Sequence, residues 1–294
     1  MTRRFDATRF VIHAFFVALS LLFTVPILTV VSISLSKESD IVHFGYPIIP
    51  RNLDFSAYRY IFANPQQIFD SYLVTILLAA IGPAVSVMMM LMIAYTLSRK
   101  IFRFRSAVAF FLFFTMLFNG GLIPRYILVT QYLHLGNTLG ILFLNGLVTV
   151  WYIFILRTFI QQIPEEMLES AVMDGASEFR IFGHLIVPLS KPAIATIGLF
   201  VLLHYWNDWM TPLIYISNPK LYPLQYLLQR VLQNLQEILE NMNHIPSDMN
   251  DASNIPSESV RMALAIMASG PMLFIMPFFQ KYFVRGLTVG SVKG

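Results

Sequence analysis

The chain has 294 residues, of which 56% are hydrophobic and only 12% are charged. An ordinary soluble domain is excluded, because about a quarter of its residues would carry charge. The length accommodates one membrane domain of several spans but no separate soluble domain of normal size. The net charge of +4 fits Lys and Arg on the cytoplasmic side of a membrane better than a nucleic-acid partner, and the absence of cysteine excludes disulfide and thiol chemistry.

Six apolar runs are each about long enough to cross a bilayer, which takes roughly 20 apolar residues in a helix. They cover approximately residues 10–35, 71–98, 106–130, 138–158, 193–216 and 260–283. The first run is too long for a typical signal peptide and no small-residue cleavage site follows it, so it predicts an uncleaved helix. The polar residues 37–70 predict an external loop. The link 125–137 has the composition to continue the third helix in part, which leaves that boundary open.

The distribution of Lys and Arg predicts the orientation. With the N-terminus inside, the cytoplasmic side holds 13 of these residues and the outer side holds 7, although the outer loops contain more residues. The positive-inside rule therefore predicts a multi-pass membrane protein with both termini in the cytoplasm. The basic cluster after the second run sets topology and meets lipid headgroups. It consists of Arg99, Lys100, Arg103 and Arg105.

The longest polar insertion between the later apolar runs covers residues 163–192 and is patterned as two short helices. Pro164 and the acidic residues after it favour a helix start, and Gly175 favours a left-handed turn. Ser177 can cap the second helix, which Pro188 and Pro192 separate from the next apolar run. The apolar positions recur at helical spacing and predict a face that presses against something outside the bilayer. They are Met167, Leu168, Ala171 and Val172 in the first helix, and Phe179, Phe182, Leu185 and Ile186 in the second.

This insertion resembles the EAA loop of ABC importer permeases. The matching residues are Glu169-Ser170-Ala171, Gly175 and Val187-Pro188. Ser170, Leu185 and Val187 depart from the family's Glu-Ala-Ala and Ile-x-Leu-Pro patterns but preserve size or apolarity. The loop also lies on the predicted cytoplasmic side before the penultimate helix, as in that family. The resemblance implies an all-α integral membrane protein with the type I ABC importer permease fold: six transmembrane helices and a cytoplasmic helix-turn-helix coupling loop.

The resemblance also implies a location in the bacterial cell membrane, a set of partners and a set of coupling residues. The partners are a second permease, two ATPase subunits that bind ATP and Mg, an external solute-binding protein and the lipid bilayer. The chain itself contains no G-x-x-x-x-G-K-[ST] loop, so we expect no cofactor, no catalytic or metal-binding residue and no enzyme activity of its own. The expected coupling residues are Glu165, Met167, Leu168, Glu169, Ala171, Val172, Asp174, Gly175, Ala176, Phe182 and Pro188.

A second resemblance is to sugar-importing permeases related to the maltose transporter's second permease, a branch that includes subunits for oligosaccharides. It covers most of the chain from residue 71 onward. The first of its motifs contains Gly120, Gly121 and Pro124, which break or bend a helix. Such a bend is explained equally well by a structural kink and by backbone groups that face a water-filled cavity. The motifs are Asn119–Pro124 with Tyr126, Leu135 and Asn137-Thr138, then Tyr222–Gln225, and Gly290–Gly294.

The fifth apolar run carries a polar and aromatic group near its outer end. Asp208 lies 15 residues after Ala193 (208 − 193), which is roughly 22 Å along a helix. An ionisable group at that depth suggests a functional lining, whereas an outer aromatic belt explains the same residues equally well. Similarity to the family's fifth helix favours the translocation path. The expected path residues are Tyr205, Trp206, Asn207, Asp208 and Trp209, with Asn119 and Arg125 from the third run.

Residues 222–258 predict an external amphipathic segment. Its leucines recur at helical spacing over about five turns, but the segment is too polar to span a membrane. It lies on the outer surface, covers the pore mouth or helps to dock the binding protein. An importer of a non-sugar solute stays open as an alternative. A secondary transporter or a membrane enzyme is less favoured, because apart from Asp208 the runs are nearly free of charge and no acid/base set is visible.

Overall fold

The structure, a computed structural model, describes residues 7–243 and 256–289. Residues 244–255 of the predicted external segment and the motif Gly290–Gly294 lie outside the described residues. Helices dominate these ranges, where the β structure is a single bridge between Ser36 and Leu53. The helices are α1 (Ala7–Ser34), α2 (Glu38–Phe44), α3 (Ser56–Ile61), α4 (Pro65–Ser98), α5 (Arg105–Leu117), α6 (Leu122–Ile127), α7 (Leu139–Gly146), α8 (Val150–Ile160), α9 (Glu165–Met173), α10 (Glu178–Ile181), α11 (Val187–Leu189), α12 (Lys191–Asn207), α13 (Met210–Tyr215), α14 (Leu224–Asn243) and α15 (Ser257–Val289).

Length and composition allow up to six membrane crossings in the described residues. Helices α1, α4 and α15 are each long and apolar enough to cross alone. Three bent helix pairs each have the length and composition of one further crossing: α5 with Leu122–Tyr132 at 112°, α7 with α8 at 46°, and Glu178–Leu189 with α12 at 79°. The predicted all-helical membrane class is therefore confirmed.

The break in the third crossing lies at the glycine pair of the sequence motif. Gly121 has a φ of +89°, a conformation that side chains other than glycine rarely adopt. The Asn119 side chain accepts a hydrogen bond from the Gly121 amide at 2.9 Å and holds the turn. A five-residue π-helical turn, Leu128–Tyr132, then continues α6. The break therefore lies within the expected run 106–130, at the glycines and proline that fit a structural kink in the sequence.

Two other expected boundaries differ from the structure. Residues 37–70, expected to form a loop, contain α2 and α3, and α4 begins six residues before the expected start, at Pro65. The first turn of α4 was missed because its side chains are polar and give no hydropathy signal. In this turn Gln66 donates a hydrogen bond to Asp70 at 2.9 Å, and a pair at this spacing stabilises a helix. The expected span 193–216 is interrupted at Asp208–Trp209, between α12 and α13.

The chain forms two compact units. One comprises the described residues up to Pro65 together with Leu228–Pro271. In this unit the Glu38 carboxylate is buried and caps the start of α15. It accepts hydrogen bonds from the amides of Glu258 and Ser259 at 2.9 and 3.1 Å, and from the hydroxyls of Ser257 and Ser259 at 2.9 and 2.8 Å. A carboxylate thus replaces the partners that the first amides of a helix lack.

The other unit comprises Gln66–Leu227 and the described residues from Met272 onward. Its core is one cluster of buried apolar side chains to which α4, α8 and α12 all contribute. Tyr205 of α12 is 2% exposed, and its hydroxyl donates a hydrogen bond of 2.7 Å to the carbonyl of Phe143 in α7. The core therefore joins the second, fourth and fifth crossings.

Candidate functional site

The loop 163–192, hereafter the coupling loop, has the predicted helix, turn and helix. Helix α9 ends at a turn in which Gly175 has a φ of +74°, and the Gly175 and Ala176 amides return to the carbonyls of Val172 and Ala171. The Ser177 hydroxyl accepts a hydrogen bond from the Arg180 amide at 3.4 Å and caps α10. Pro164 differs slightly from the expectation: it precedes the first helical residue instead of occupying it.

The apolar side chains of the coupling loop divide into an inward and an outward set. Leu168, Ile181 and Ile186 are buried, and Ala171, Phe182 and Leu185 pack against the same core. Leu168 was expected to contact a partner, but its side chain is 8% exposed and anchors α9 instead. The remaining expected coupling residues are exposed or half-buried. Met167, Glu165, Glu169, Val172, Asp174, Gly175 and Pro188 are exposed, whereas Ala176 is half-buried.

Two strongly exposed apolar residues were not among the expected coupling residues. Met173 is 86% exposed and Phe179 is 80% exposed, one on each side of the turn at Gly175. Phe179 belongs to the apolar face that the helical spacing predicted to press against something outside the bilayer, whereas Met173 was not in that set. The signal that could have found Met173 is that a nine-residue helix needs only one apolar stripe to pack, and Met173 lies beyond it. A polar loop thus presents two large apolar groups to solvent, which is typical of a docking surface.

Charged side chains tie the coupling loop to the C-terminal end of α4. Glu165 pairs with Lys100, and Glu178 pairs with Arg99 at 2.9 Å. The Tyr95 hydroxyl also donates to Glu178. Partial burial raises the pKa of Glu178, but the hydrogen bonds from Tyr95 and Arg99 outweigh burial, so its pKa lies below the ordinary value. The carboxylate is therefore held in its charged form.

The expected substrate-path residues do not share one environment. Tyr205 and Trp206 are each 2% exposed, so they do not line an open surface of this chain. Asn119 supports the turn at Gly121, and Asn207 accepts a hydrogen bond from Gln225 at 3.4 Å. Four of the expected path residues are exposed and Asp208 is half-buried. The exposed residues are Asn119, Arg125, Asn207 and Trp209.

Arg125 and Asp208 are joined by two residues that the sequence did not single out. The Arg125 guanidinium donates to the Asn145 side chain, whose amide donates to the Thr211 hydroxyl. The Thr211 amide then donates to the Asp208 carboxylate at 3.0 Å, which caps the start of α13. We call these four residues the polar chain. Polar residues at membrane depth are expensive unless paired, and an isolated Asn or Thr in an apolar run was the available signal.

The sugar-permease motif at Asn137 has a structural explanation. Asn137 adopts a φ of +59°, and its side-chain oxygen accepts hydrogen bonds from the Ser217 and Asn218 amides at 3.1 and 2.8 Å. Its own amide donates to the Tyr215 carbonyl at 2.8 Å. Asn137 therefore ties the end of α13 to the start of the fourth crossing.

No group of three or more His, Asp or Glu side chains is arranged to hold a metal ion within the described residues, and the chain has no cysteine. The arrangement instead provides a docking surface on the coupling loop and a polar chain between interrupted helices. These two features are those expected of a membrane transport subunit.

The chain belongs to the family described as the binding-protein-dependent transport system inner membrane component, which matches residues 96–289. It is 36% identical to the polygalacturonan/rhamnogalacturonan transport system permease protein YtcP of Bacillus subtilis (strain 168), over 96% of this chain and 97% of that protein. It is 29% identical to the arabinooligosaccharides transport system permease protein AraQ of the same organism, over 99% of this chain and 98% of that one.

The fold is also that of a solved transporter. A chain from the crystal structure of a bacterial ABC transporter involved in the import of the acidic polysaccharide alginate superposes with a TM-score of 0.77. The two are 27% identical, and the match covers 96% of this chain and 99% of the other. The predicted ABC importer permease fold and the predicted sugar-permease family are confirmed.

Proposed function

We propose that this chain is one of two permease subunits of an ATP-driven importer that moves an oligosaccharide into the cytoplasm. The observation that carries the proposal is the pair of highly exposed apolar side chains, Met173 and Phe179, beside the exposed Met167 and Val172 on the coupling loop. Exposed apolar side chains on a loop between the apolar runs favour a partner surface. The cytoplasmic ATPase of an ABC importer supplies one.

In the proposed cycle, an external binding protein delivers the sugar and two ATPase subunits bind ATP with Mg. Their closure pushes on the coupling loop and on its counterpart in the second permease, and the pair of permeases switches between inward- and outward-facing states. Met167 and Val172 add apolar contact beside Met173 and Phe179, and Glu169 offers a charge to a basic ATPase residue. The coupling loop and both termini then lie in the cytoplasm, in agreement with the distribution of Lys and Arg.

The proposal of an oligosaccharide is supported by the names of the relatives and by the polar chain. Sugars need hydrogen-bond partners for their hydroxyls and flat apolar groups for their C–H faces. Arg125 and Asp208 offer charge and hydrogen bonds, and Trp209, 38% exposed, offers an aromatic ring nearby in the sequence. The solved transporter is described as importing the acidic polysaccharide alginate, and the permease YtcP is named for polygalacturonan and rhamnogalacturonan transport. We therefore include uronic-acid oligosaccharides among the candidate substrates.

Helix α14 has the amphipathic form that the sequence predicts, with Leu228 and Leu235 buried. We propose that its polar face contributes to docking of the binding protein. Charge substitutions on that face are expected to weaken binding-protein-stimulated ATPase activity while leaving the basal activity intact.

The test of the proposed function is purification of the chain in mild detergent from its native host, with mass spectrometry of the proteins that accompany it. We expect a second permease and an ATPase, and ATP hydrolysis that falls in Glu169→Lys and Gly175→Asp variants that still insert into the membrane. A well-folded chain purified alone, or uptake driven by an ion gradient without ATP, would contradict the proposal and favour a secondary transporter.

A further inference from the structure

The coupling loop is held to the second crossing by a seam of polar contacts. Glu178, near the start of α10, accepts a hydrogen bond from Tyr95 and pairs with Arg99 at 2.9 Å. Tyr95 is 7% exposed, so this contact lies at the edge of the core. Tyr95 lies in the last turn of α4, and Arg99 directly follows that helix. A single carboxylate therefore joins α10 to the end of α4, beside the packing of Ile181 in the core.

Packing and a second ion pair reinforce the seam. The Phe182 ring lies 5.7 Å from the Tyr95 ring, and the Arg99 guanidinium lies 5.9 Å from the same ring. Glu165, at the start of α9, pairs with Lys100. The Glu165–Lys100 pair is exposed on both sides and contributes little by itself, whereas the Arg99 side chain is 17% exposed and better shielded from solvent. Of the two acidic residues, Glu178 makes the stronger attachment.

The backbone offers no equally stiff connection. After the coupling loop the chain reaches α12 through a bend of 79° at Ser190. Before it, the chain leaves α8 through the short non-helical link 161–164. By contrast, α4 is one unbroken helix of 34 residues whose inner face is buried. A push on the loop moves a rigid element only if the loop is attached to that element.

We propose that Glu178 is a positioning residue that makes the coupling loop and α4 move as one body, so that displacement of the loop reaches the second crossing through Tyr95 and Arg99. The inference rests on the proposed function, since it assumes that an ATPase pushes on this loop. It assigns the transmission to a side chain outside the EAA resemblance. Docking and transmission then belong to different residues: Met173 and Phe179 face the partner, while Glu178 faces α4.

The experiment measures sugar taken up per ATP hydrolysed by the whole complex in proteoliposomes. In Glu178→Gln we expect this ratio to fall about fivefold, because the docking residues are intact and ATP hydrolysis continues, within about twofold of wild type. Arg99→Glu is expected to act in the same way. The double variant Arg99→Glu with Glu178→Arg restores the ion pair with its charges exchanged. Its ratio of sugar taken up to ATP hydrolysed should recover to at least half of the wild-type value.

Glu166→Gln is the matched control, since it removes one carboxylate from the same loop. The Glu166 side chain makes no hydrogen bond or ion pair to any residue that the structure describes. Its ratio should equal that of wild type. The inference would be overturned by an unchanged ratio in Glu178→Gln, or by a loss of uptake that equals the loss of assembled complex. Either result would leave the proposed function standing. A wild-type complex without ATP-dependent uptake would overturn the proposed function, and this inference with it.

Discussion

The ring of Tyr205 lies directly against Gly82. A Cβ atom added to Gly82 would come within 2.5 Å of the tyrosine ring, and one added to Gly146 would come within 2.7 Å. The two glycines therefore leave the space in which α4, α7 and α12 meet around one aromatic side chain. Because the Tyr205 hydroxyl is bound to the Phe143 carbonyl, the ring is not free to move aside.

Gly82→Ala is consequently expected to destabilise the chain by about 1–3 kcal/mol, the usual effect of overpacking a core. Gly198→Ala is the matched control, because a Cβ at Gly198 meets nothing within 4 Å. Thermal unfolding of the purified proteins in detergent measures both. A Gly82→Ala variant as stable as Gly198→Ala would show that the ring has room to move.

The burial of Tyr205 could not be predicted from the sequence. Tyr205 belongs to a polar and aromatic group whose composition suggested a substrate path, and hydropathy does not distinguish a ring that faces the core from one that faces outward. The coupling loop was more predictable, because Gly175 and Ser177 act on the local backbone. The polar chain could not be predicted in the same way, because its hydrogen bonds depend on tertiary structure. Asn145 and Thr211 contact Arg125 and Asp208 only after the helices have bent and packed together.

Glu38 is expected to stabilise the start of α15. Replacing it with alanine removes the acceptor of four hydrogen bonds in a site that is 5% exposed, so we expect a loss of about 2–4 kcal/mol. Glu38→Gln retains one acceptor oxygen and should lose less. Amide hydrogen exchange of the first turn of α15 separates this local effect from global unfolding. Equal exchange in all three proteins would rule out the capping role.

Phe179→Ser is expected to weaken association with the ATPase without destabilising the chain. The ring is 80% exposed, so its removal should change stability by less than about 0.5 kcal/mol. Burial against a partner is worth about 1.5–3 kcal/mol for such a side chain, which corresponds to roughly tenfold or more in affinity. Titration of the purified ATPase onto the permease pair checks this. Ile49→Ser, at a site 78% exposed in the expected external region, should leave the affinity unchanged.

Glu178 is expected to make the stability of the coupling loop depend on pH. Its pKa is lower in the folded chain than the ordinary value of 4.5, because Tyr95 and Arg99 favour the carboxylate more than burial opposes it. The stabilisation is therefore complete above about pH 4.5 and is lost as the pH falls through the folded pKa. The difference in thermal midpoint between wild type and Glu178→Gln should shrink between about pH 7 and about pH 3. A constant difference would mean that the charge of Glu178 is not what stabilises the loop.

Arg125 and Asn145 are expected to act as one unit in sugar uptake. Loss of a charged hydrogen-bonding group costs about 1.5–3 kcal/mol, so Arg125→Gln should lower uptake at limiting sugar by about tenfold or more. Asn145→Ala removes the acceptor that holds the guanidinium and should lower uptake similarly. Because both changes break the same polar chain, the double variant should be little worse than either single one. Lys220→Gln, which also removes a cation, is the control and should transport normally; additive losses in the double variant would show that Arg125 and Asn145 act separately.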